Sequence, residues 1–196
     1  MPRAPRAFVL YKFKGNYVMT KPNFIDLWDA YPKNKTAEEA YAIAGGDIQQ
    51  AYLDNPIDYA NACAVRMSIA CNLGGMIIHS GDSIDTGYRL KGKILDYETL
   101  PGRNYYAYYL RVIDMINFLE KRLGAPSTRL KLLQARKADT HTFRGRKGVM
   151  IYKIAWSDAS GHVALWDGNN FANTDVTKDN YFKEQNLLEI LFWDLP

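Results

Sequence analysis

The segment N-A-C-A-V-R-M-S-I-A-C-N, from Asn61 to Asn72, holds both cysteines of this 196-residue chain. It is rich in Ala, Met and Ile, contains no Pro and is followed by Leu-Gly-Gly, a pattern that predicts a helix ending at a glycine. Asn61 is the predicted N-cap, so Cys63 falls in the first turn of that helix. The segment therefore predicts a fold built around a cysteine at a helix N-terminus.

The two thiols of this segment are predicted to be free. Cys63 and Cys71 are eight residues apart, which corresponds to about 12 Å of helical rise, whereas a disulfide requires Cα atoms within ~7 Å. A thiol in the first turn has a lowered pKa, because the helix dipole and unpaired backbone N–H groups favour the thiolate. Cys63 is therefore a candidate nucleophile, and Cys71, two turns deeper, is interpreted as a small core residue. The alternative is that both belong to the core.

The composition limits the classes of function. Hydrophobic residues make up 47% of the chain, enough for one ordinary globular core. The net charge of +4 fits weak attraction to an anionic polymer but falls far short of a nucleic-acid-binding surface. No apolar run reaches the ~18 residues of a membrane span, and the first residues lack the apolar core of a secretory signal. We therefore expect no nucleic acid, no membrane span and no export by the general secretory route.

The remaining pattern predicts helices first and antiparallel strands last, which is an α+β fold. The candidate nucleophile lies on an early helix, so a partner base is expected on the later sheet. The predicted elements are a short strand pair over 7–19, helices over Pro22–Pro32, 36–44 and 106–123, a loop region over 79–104, and strands over Gly148–Ile154, His162–Trp166 and Leu188–Leu195.

His162 is the candidate base among three histidines. It opens a predicted strand directly after a glycine, so its ring lies at a sheet edge and is free to face a groove. In the papain-like arrangement, a histidine on the sheet takes the proton of a cysteine at a helix N-terminus. His79 lies in the loop region and His141 among polar residues. The alternative is that His162 is a structural residue.

A third group should orient the imidazole, and the hairpin after His162 offers two candidates. A two-residue turn at Asp167-Gly168 places Asn173 opposite His162. A four-residue loop, D-G-N-N, places Asp175 there instead. Both side chains can accept a hydrogen bond from the ring, so the choice stays open. The cysteines and histidines show no metal-ligand spacing and no glycine-rich phosphate loop occurs, so no cofactor is expected.

Several motifs together resemble one known family, the type VI secretion amidase effectors of family 4. They are N-A-C-A-V-R-M-S around Cys63, Y-L-R-V-I-D-M-I-N-F-L from Tyr109 and G-H-V-A-L-W-D-G around His162. The opening P-N-F-I-D-L-W-D-A-Y-P and the closing L-F-W-D-L-P are also similar to the two ends of that family. The resemblance assigns residues 22–196 to a single cysteine amidase domain and leaves residues 1–21 as an N-terminal extension.

The resemblance implies a papain-related, NlpC-like cysteine amidase that cuts peptidoglycan stem peptides between D-glutamate and meso-diaminopimelate. Cys63 matches the nucleophile and His162 the base. The third family residue is an Asp about eleven positions after the His. An ungapped count reaches Asn173, whereas a two-residue insertion restores Asp175. The cysteine pair that the family often has near this Asp is missing from the sequence.

The resemblance also implies partners and a place of action. The expected partners are the peptidoglycan stem peptide, a cognate immunity protein and the type VI secretion apparatus. The expected location is the producer cytoplasm before delivery and the target-cell periplasm afterwards. Three alternatives remain: a housekeeping wall hydrolase of the same fold, an acyltransferase or transglutaminase with the same Cys-His pair, and a non-catalytic peptide-binding relative.

Overall fold

The computed structural model describes residues 21–78, 89–93, 105–157, 159–173 and 179–196. Within these ranges, helices dominate the first part of the chain and an antiparallel sheet the last part. The helices are α1 (Phe24–Ala30), α2 (Ala37–Ala44), α3 (Gly46–Asp54), α4 (Cys63–Leu73), α5 (Val112–Leu123) and α6 (Leu132–Lys137), with a 3₁₀ turn over Thr140–Phe143. The strands are β1 (Arg89–Lys93), β2 (Tyr105–Tyr109), β3 (Thr128–Lys131), β4 (Gly148–Ile154), β5 (Gly161–Trp166) and β6 (Leu187–Asp194).

Helix α4 is the central element of the helical layer. From Ala64 to Asn72 every residue is buried except Arg66. A helix buried on all sides is hydrophobic all round rather than along one stripe, which is why this segment shows no amphipathic period. The helix contacts α1, α2 and strands β2 and β5, so its N-terminus lies against the sheet.

Two buried polar side chains fix α4 to strand β2. The Ser68 hydroxyl accepts a hydrogen bond from the Tyr109 backbone N–H at 2.9 Å. The Asn72 side chain donates to the Ala107 carbonyl at 2.9 Å and accepts from the Ile78 N–H at 2.8 Å. Because an unpaired buried polar group costs about 1–3 kcal/mol, these bonds favour one register of the helix on the strand.

The main sheet has the strand order β3-β6-β4-β5, and all neighbouring strands are antiparallel. Strand β4 is central, and alternate residues along it enter two different apolar clusters. Val149 and Ile151 pack with residues of α4 and α5, while Met150 and Tyr152 pack on the opposite face with residues of α6 and the 3₁₀ turn. The sheet is therefore covered on both faces, and the expected α+β class is confirmed.

The structure corrects the predicted helix over 106–123. Residues Tyr105–Tyr109 form strand β2, paired with β1, and the helix begins at Val112. The sequence Tyr-Tyr-Ala-Tyr-Tyr has high β propensity, and the backbone of this strand satisfies the buried polar groups of α4 described above. Strand β1 also lies inside the expected loop region 79–104, whose other residues, including His79, lie outside the described ranges. The expected strand pair over 7–19 lies outside them as well.

Besides β1 and the 3₁₀ turn, three elements were not predicted. Helix α3 begins directly after Gly45, where the sequence pattern indicated only a helix stop, and β3 and α6 follow α5. In the described part of the chain, none of the helices combines the length and the apolar character that a membrane crossing requires.

Candidate active site

Cys63 is the first residue of helix α4. The predicted N-cap, Asn61, is wrong: Ala62 occupies that position, and no side chain caps the helix. The backbone N–H groups of Ala64 and of Val163 in β5 hydrogen-bond to the Cys63 sulfur. The helix start and the neighbouring strand therefore both direct donors at the thiol.

The structure places His162 beside Cys63, at the start of strand β5. Gly161 precedes it with φ 140, and a Cβ atom at that position would lie 2.0 Å from the carbonyl oxygen of Tyr152 on the neighbouring strand. Only glycine fits this approach. The imidazole packs on the Tyr181 ring with centroids 4.7 Å apart, and His162 is only 9% exposed. The ring is thus held at the sheet edge in one orientation.

Cys63 and His162 stabilise each other's charged forms. Burial alone raises the pKa of the Cys63 thiol, but the hydrogen bond and charge of His162, with the Val163 and Ala64 N–H groups, lower it overall. Burial likewise lowers the pKa of His162, yet hydrogen bonds to Asp179 and to the Cys63 sulfur outweigh it and raise that pKa to about 9. Both shifts favour a thiolate–imidazolium pair near neutral pH.

The carboxylate that binds the His162 ring is Asp179. The ring Nε2 lies 2.7 Å from Asp179 Oδ1, and Asp179 is 1% exposed. Because a carboxylate only accepts hydrogen bonds, Nε2 carries the proton, and Nδ1 is the ring nitrogen left to face the thiol. The second carboxylate oxygen accepts a hydrogen bond from the Asn173 backbone N–H at 3.4 Å.

The observed partner of the ring is Asp179 and not Asn173, the first of the two sequence candidates for this position. Trp166 pairs with Phe171, so the hairpin has the wider D-G-N-N loop. The Asn173 side chain accepts a hydrogen bond from the Asn34 backbone N–H at 3.0 Å and does not bind the ring. Asp175 lies outside the described residues. The expected place of Asn173 opposite His162 is corrected, because the four-residue loop shifts the register and Asn173 then follows Ala172, which bonds to Leu165, opposite Ala164.

Asp179 was missed by the sequence analysis. It lies 17 residues after His162, and the only signal in the sequence is that it is one of several polar residues in T-D-V-T-K-D-N. Of the other histidines, His141 is exposed in the 3₁₀ turn, where it contacts Asp139 at 3.7 Å. The geometry therefore unites Cys63 and His162 and adds a third group that spacing did not indicate.

These side chains border one cavity of about 260 Å³. Its walls come from the α1–α2 connection, the start of α4, the start of β5 and the chain before β6. Besides Cys63, His162 and Asp179, its lining includes Tyr31, Asn34, Lys35, Arg66, Trp156 and Tyr181. Among the described residues, no group of three or more Cys, His, Asp or Glu side chains could hold a metal ion. The arrangement is one of a thiol, an imidazole and a buried carboxylate beside a pocket, which suits acyl transfer.

Comparison with known proteins identifies the family. The sequence model of the type VI secretion system amidase effector protein 4 matches residues 59–193. The chain belongs to this amidase effector family. Its members are peptidoglycan amidases that the type VI secretion system delivers into target cells, so the chain is an amidase effector of this kind. A comparison with curated protein sequences gives no match.

Solved structures of the family share the fold along most of the chain. A chain of the Tae4–Tai4 effector–immunity complex from Salmonella Typhimurium is 25% identical with a TM-score of 0.70, over 90% of this chain and 100% of that chain. A chain of the corresponding Enterobacter cloacae complex is 27% identical with a TM-score of 0.68, over 90% and 100%. The effector Tae4 from Enterobacter cloacae is 27% identical with a TM-score of 0.66, over 91% and 100%. The family fold is the papain-like, NlpC-like fold expected from the sequence.

Proposed function

We propose that this effector hydrolyses the amide bond between D-glutamate and meso-diaminopimelate in peptidoglycan stem peptides, with Cys63 as nucleophile, His162 as general base and acid, and Asp179 as the residue that orients the imidazole. The observation that carries the proposal is the array of thiol, imidazole and buried carboxylate along one wall of a cavity. The amidase family supplies the class of substrate.

The first half of the reaction is acylation. The Cys63 thiolate attacks the scissile carbonyl carbon, and the carbonyl electrons move to the oxygen. The backbone N–H groups in the first turn of a helix have no acceptor within that helix. The N–H groups at the start of α4 can therefore donate to this developing oxyanion. As the carbonyl reforms, the C–N bond breaks and the imidazolium of His162 gives its proton to the leaving amine.

The second half is hydrolysis of the thioester. Neutral His162 takes a proton from a water molecule, the resulting hydroxide attacks the thioester carbonyl, and the Cys63 thiolate leaves. The imidazolium regenerated in this step is stabilised by Asp179, whose carboxylate lies 2.7 Å from Nε2. Charge-assisted hydrogen bonds of this kind are about twice as strong as neutral ones. One carboxylate therefore supports both halves of the cycle by holding the same tautomer.

The family relationship extends the proposal to location and partners. The Salmonella Typhimurium and Enterobacter cloacae structures are complexes of Tae4 with the immunity protein Tai4. We infer that a cognate immunity protein blocks the cavity of this chain in the producing cell, and that the chain acts in the periplasm of the target cell, where its substrate lies.

Two measurements test the proposal. Mixing the protein with a stem peptide and recording intact mass should reveal an acyl adduct in the wild type and none in Cys63→Ala. Adding primary amines tests the transglutaminase alternative, which predicts that amines capture the acyl group in preference to water. Toxicity should appear when the protein is directed to the periplasm of a susceptible cell, whereas equal killing from cytoplasmic expression would indicate another target.

A further inference from the structure

Arg66 lies on the wall of the catalytic cavity, three residues after Cys63 on helix α4. Residues three apart on a helix are neighbours on one face, with Cβ atoms about 5–6 Å apart. The guanidinium is fixed by one hydrogen bond, from Nη2 to the Lys35 carbonyl at 2.9 Å. Its Nε is buried and has no hydrogen-bond partner among the described residues. A buried N–H donor of a permanent cation therefore lies one turn from the nucleophile.

Tyr31 presents a second donor to the same cavity. The residue is 3% exposed, and its buried hydroxyl has no hydrogen-bond partner of acceptable geometry in the described part of the chain, although Asn173 faces it. Burial, followed by the negative charges of Asp179 and Cys63, raises the pKa of this phenol, so it keeps its proton and can donate. Buried polar groups without partners are rare in native proteins, and these two belong to residues that line one cavity, which makes them candidate donors to a ligand.

We propose that Arg66 and Tyr31 form a carboxylate subsite that binds the free α-carboxylate of the glutamyl residue on the acyl side of the scissile bond. This inference rests on the proposed function and specifies how the enzyme selects its bond. In a γ-linked glutamyl residue, three carbon atoms separate the scissile carbonyl from the α-carboxylate. That span is comparable with the helical rise of about 4.5 Å over the three residues from Cys63 to Arg66.

Arg66 is the cation available to an anionic group at this position. The only carboxylate among its described lining residues is Asp179, which already binds His162, so it does not neutralise Arg66. The second cation of the lining, Lys35, is paired with Glu39 at 2.9 Å. A planar guanidinium with a phenolic hydroxyl beside it is suited to a carboxylate, because both oxygens then receive donors. An ordinary α-linked residue has no carboxylate to place there unless its side chain supplies one.

A matched pair of substrates tests the subsite. One is L-alanyl-γ-D-glutamyl-meso-diaminopimelate, and the other carries a carboxamide in place of the α-carboxylate of the glutamyl residue. The wild type should prefer the carboxylate substrate in kcat/KM by roughly tenfold to a hundredfold, the value of a hydrogen bond to a charged group. Arg66→Gln should reduce this ratio to nearly one, and Tyr31→Phe should reduce it in part, with most of the change in KM.

The control variant is Arg136→Gln, which removes the same charge. Arg136 is exposed on α6 and also donates to a backbone carbonyl, that of Gln185 at 3.2 Å. It should keep the full substrate preference. Arg66→Lys retains the charge but not the planar fork, so it should give an intermediate ratio of kcat/KM between the two substrates. If Arg66→Gln fails to fold, Arg66→Lys and Tyr31→Phe together provide the test.

The outcomes separate this inference from the proposed function. Equal cleavage of both substrates by the wild type, or an equal loss on both substrates in Arg66→Gln, would overturn the subsite and leave the amidase assignment intact. Cleavage of neither substrate by the wild type would overturn the proposed function, and the subsite with it. A ratio near one in Arg66→Gln, with the wild-type ratio retained in Arg136→Gln, supports the subsite.

Discussion

Replacing Asp179 with Asn removes one negative charge from the cavity and changes the volume very little. The wild-type carboxylate accepts from His162 Nε2 at 2.7 Å and is 1% exposed, so water cannot replace it. An amide in its place can present an N–H to the ring and favour the wrong tautomer, with the proton on the nitrogen that faces Cys63. The variant should therefore fold, and its thiol should be less ionised at neutral pH.

The size of the effect follows from the bond that is lost. A hydrogen bond to a charged group contributes roughly 1.5–3 kcal/mol, and each ~1.4 kcal/mol of transition-state stabilisation is tenfold in rate. Asp179→Asn should lower kcat/KM by roughly tenfold to over a hundredfold. In the wild type, activity should appear as the thiol ionises below its ordinary pKa and disappear as His162 loses its proton near its pKa of about 9. Without Asp179, burial dominates the histidine and the alkaline limb should move to lower pH.

The assay is the pH profile of kcat/KM on a synthetic stem peptide, with the ultraviolet absorbance of the thiolate as an independent titration of Cys63. Glu189→Gln is the matched control, because Glu189 is also a buried carboxylate, 7% exposed, that binds Arg129 and Lys153 on the sheet. An alkaline limb in Asp179→Asn that coincides with the wild type would refute the role of Asp179. The same assay on Asp175→Asn tests the sequence expectation, and a larger loss there would restore it.

The remaining predictions concern the two thiols and one glycine. Cys63→Ala should abolish wall hydrolysis with the fold intact. Cys71→Ala should stay active and lose roughly 1–2 kcal/mol of stability, because it truncates a core side chain. An alkylating probe that labelled Cys71 before Cys63 would contradict this. Gly161→Ala should lower the thermal midpoint much more than Gly145→Ala does, since a Cβ at Gly161 meets the Tyr152 carbonyl while that at Gly145, with φ 74, meets nothing within 4 Å. Equal midpoints in the two glycine variants would show that the strand contact is unimportant.

The proximity of Cys63 and His162 could be predicted from the sequence because each lies in a segment whose local pattern fixes its surroundings. A run of small and apolar residues before two glycines predicts a buried helix. A histidine directly after a glycine, at the start of a strand, is predicted to lie at a sheet edge. Both inferences use only neighbouring residues. The structure brings these two side chains into contact, as the predicted order of elements required.

Asp179 could not be identified in the same way. Extending the hairpin register beyond Phe171 assumes that the strand continues, and this gave Asn173 or Asp175. The structure shows the wider loop, which removes Asn173 from its expected place opposite His162, and the Asn173 side chain accepts a hydrogen bond from the Asn34 N–H instead. Tertiary packing around the cavity decides which polar side chain contacts the His162 ring, and sequence spacing does not encode that packing.

Strand β2 shows a second limit of the sequence pattern. Its tyrosines continue the apolar period of α5 and were assigned to that helix. Their backbone instead satisfies Ser68 and Asn72 of α4, so a contact 41 residues away in sequence decides the secondary structure. Helical spacing from the sequence places Arg66 near Cys63, but only the structure shows that the Arg66 Nε lacks a hydrogen-bond partner beside the cavity. Tyr31, at the end of α1, reaches the site by tertiary packing alone.

Digestion of purified Gram-negative sacculi, with mass spectrometry of the released fragments, tests the central claim most directly. The wild type should release fragments with a free amino group on meso-diaminopimelate and leave muropeptides that end at D-glutamate. Cys63→Ala should release none, and Asp179→Asn should release them more slowly by roughly tenfold to over a hundredfold. Fragments cut in the glycan strand or at another peptide bond, or release by Cys63→Ala equal to that of the wild type, would contradict the account.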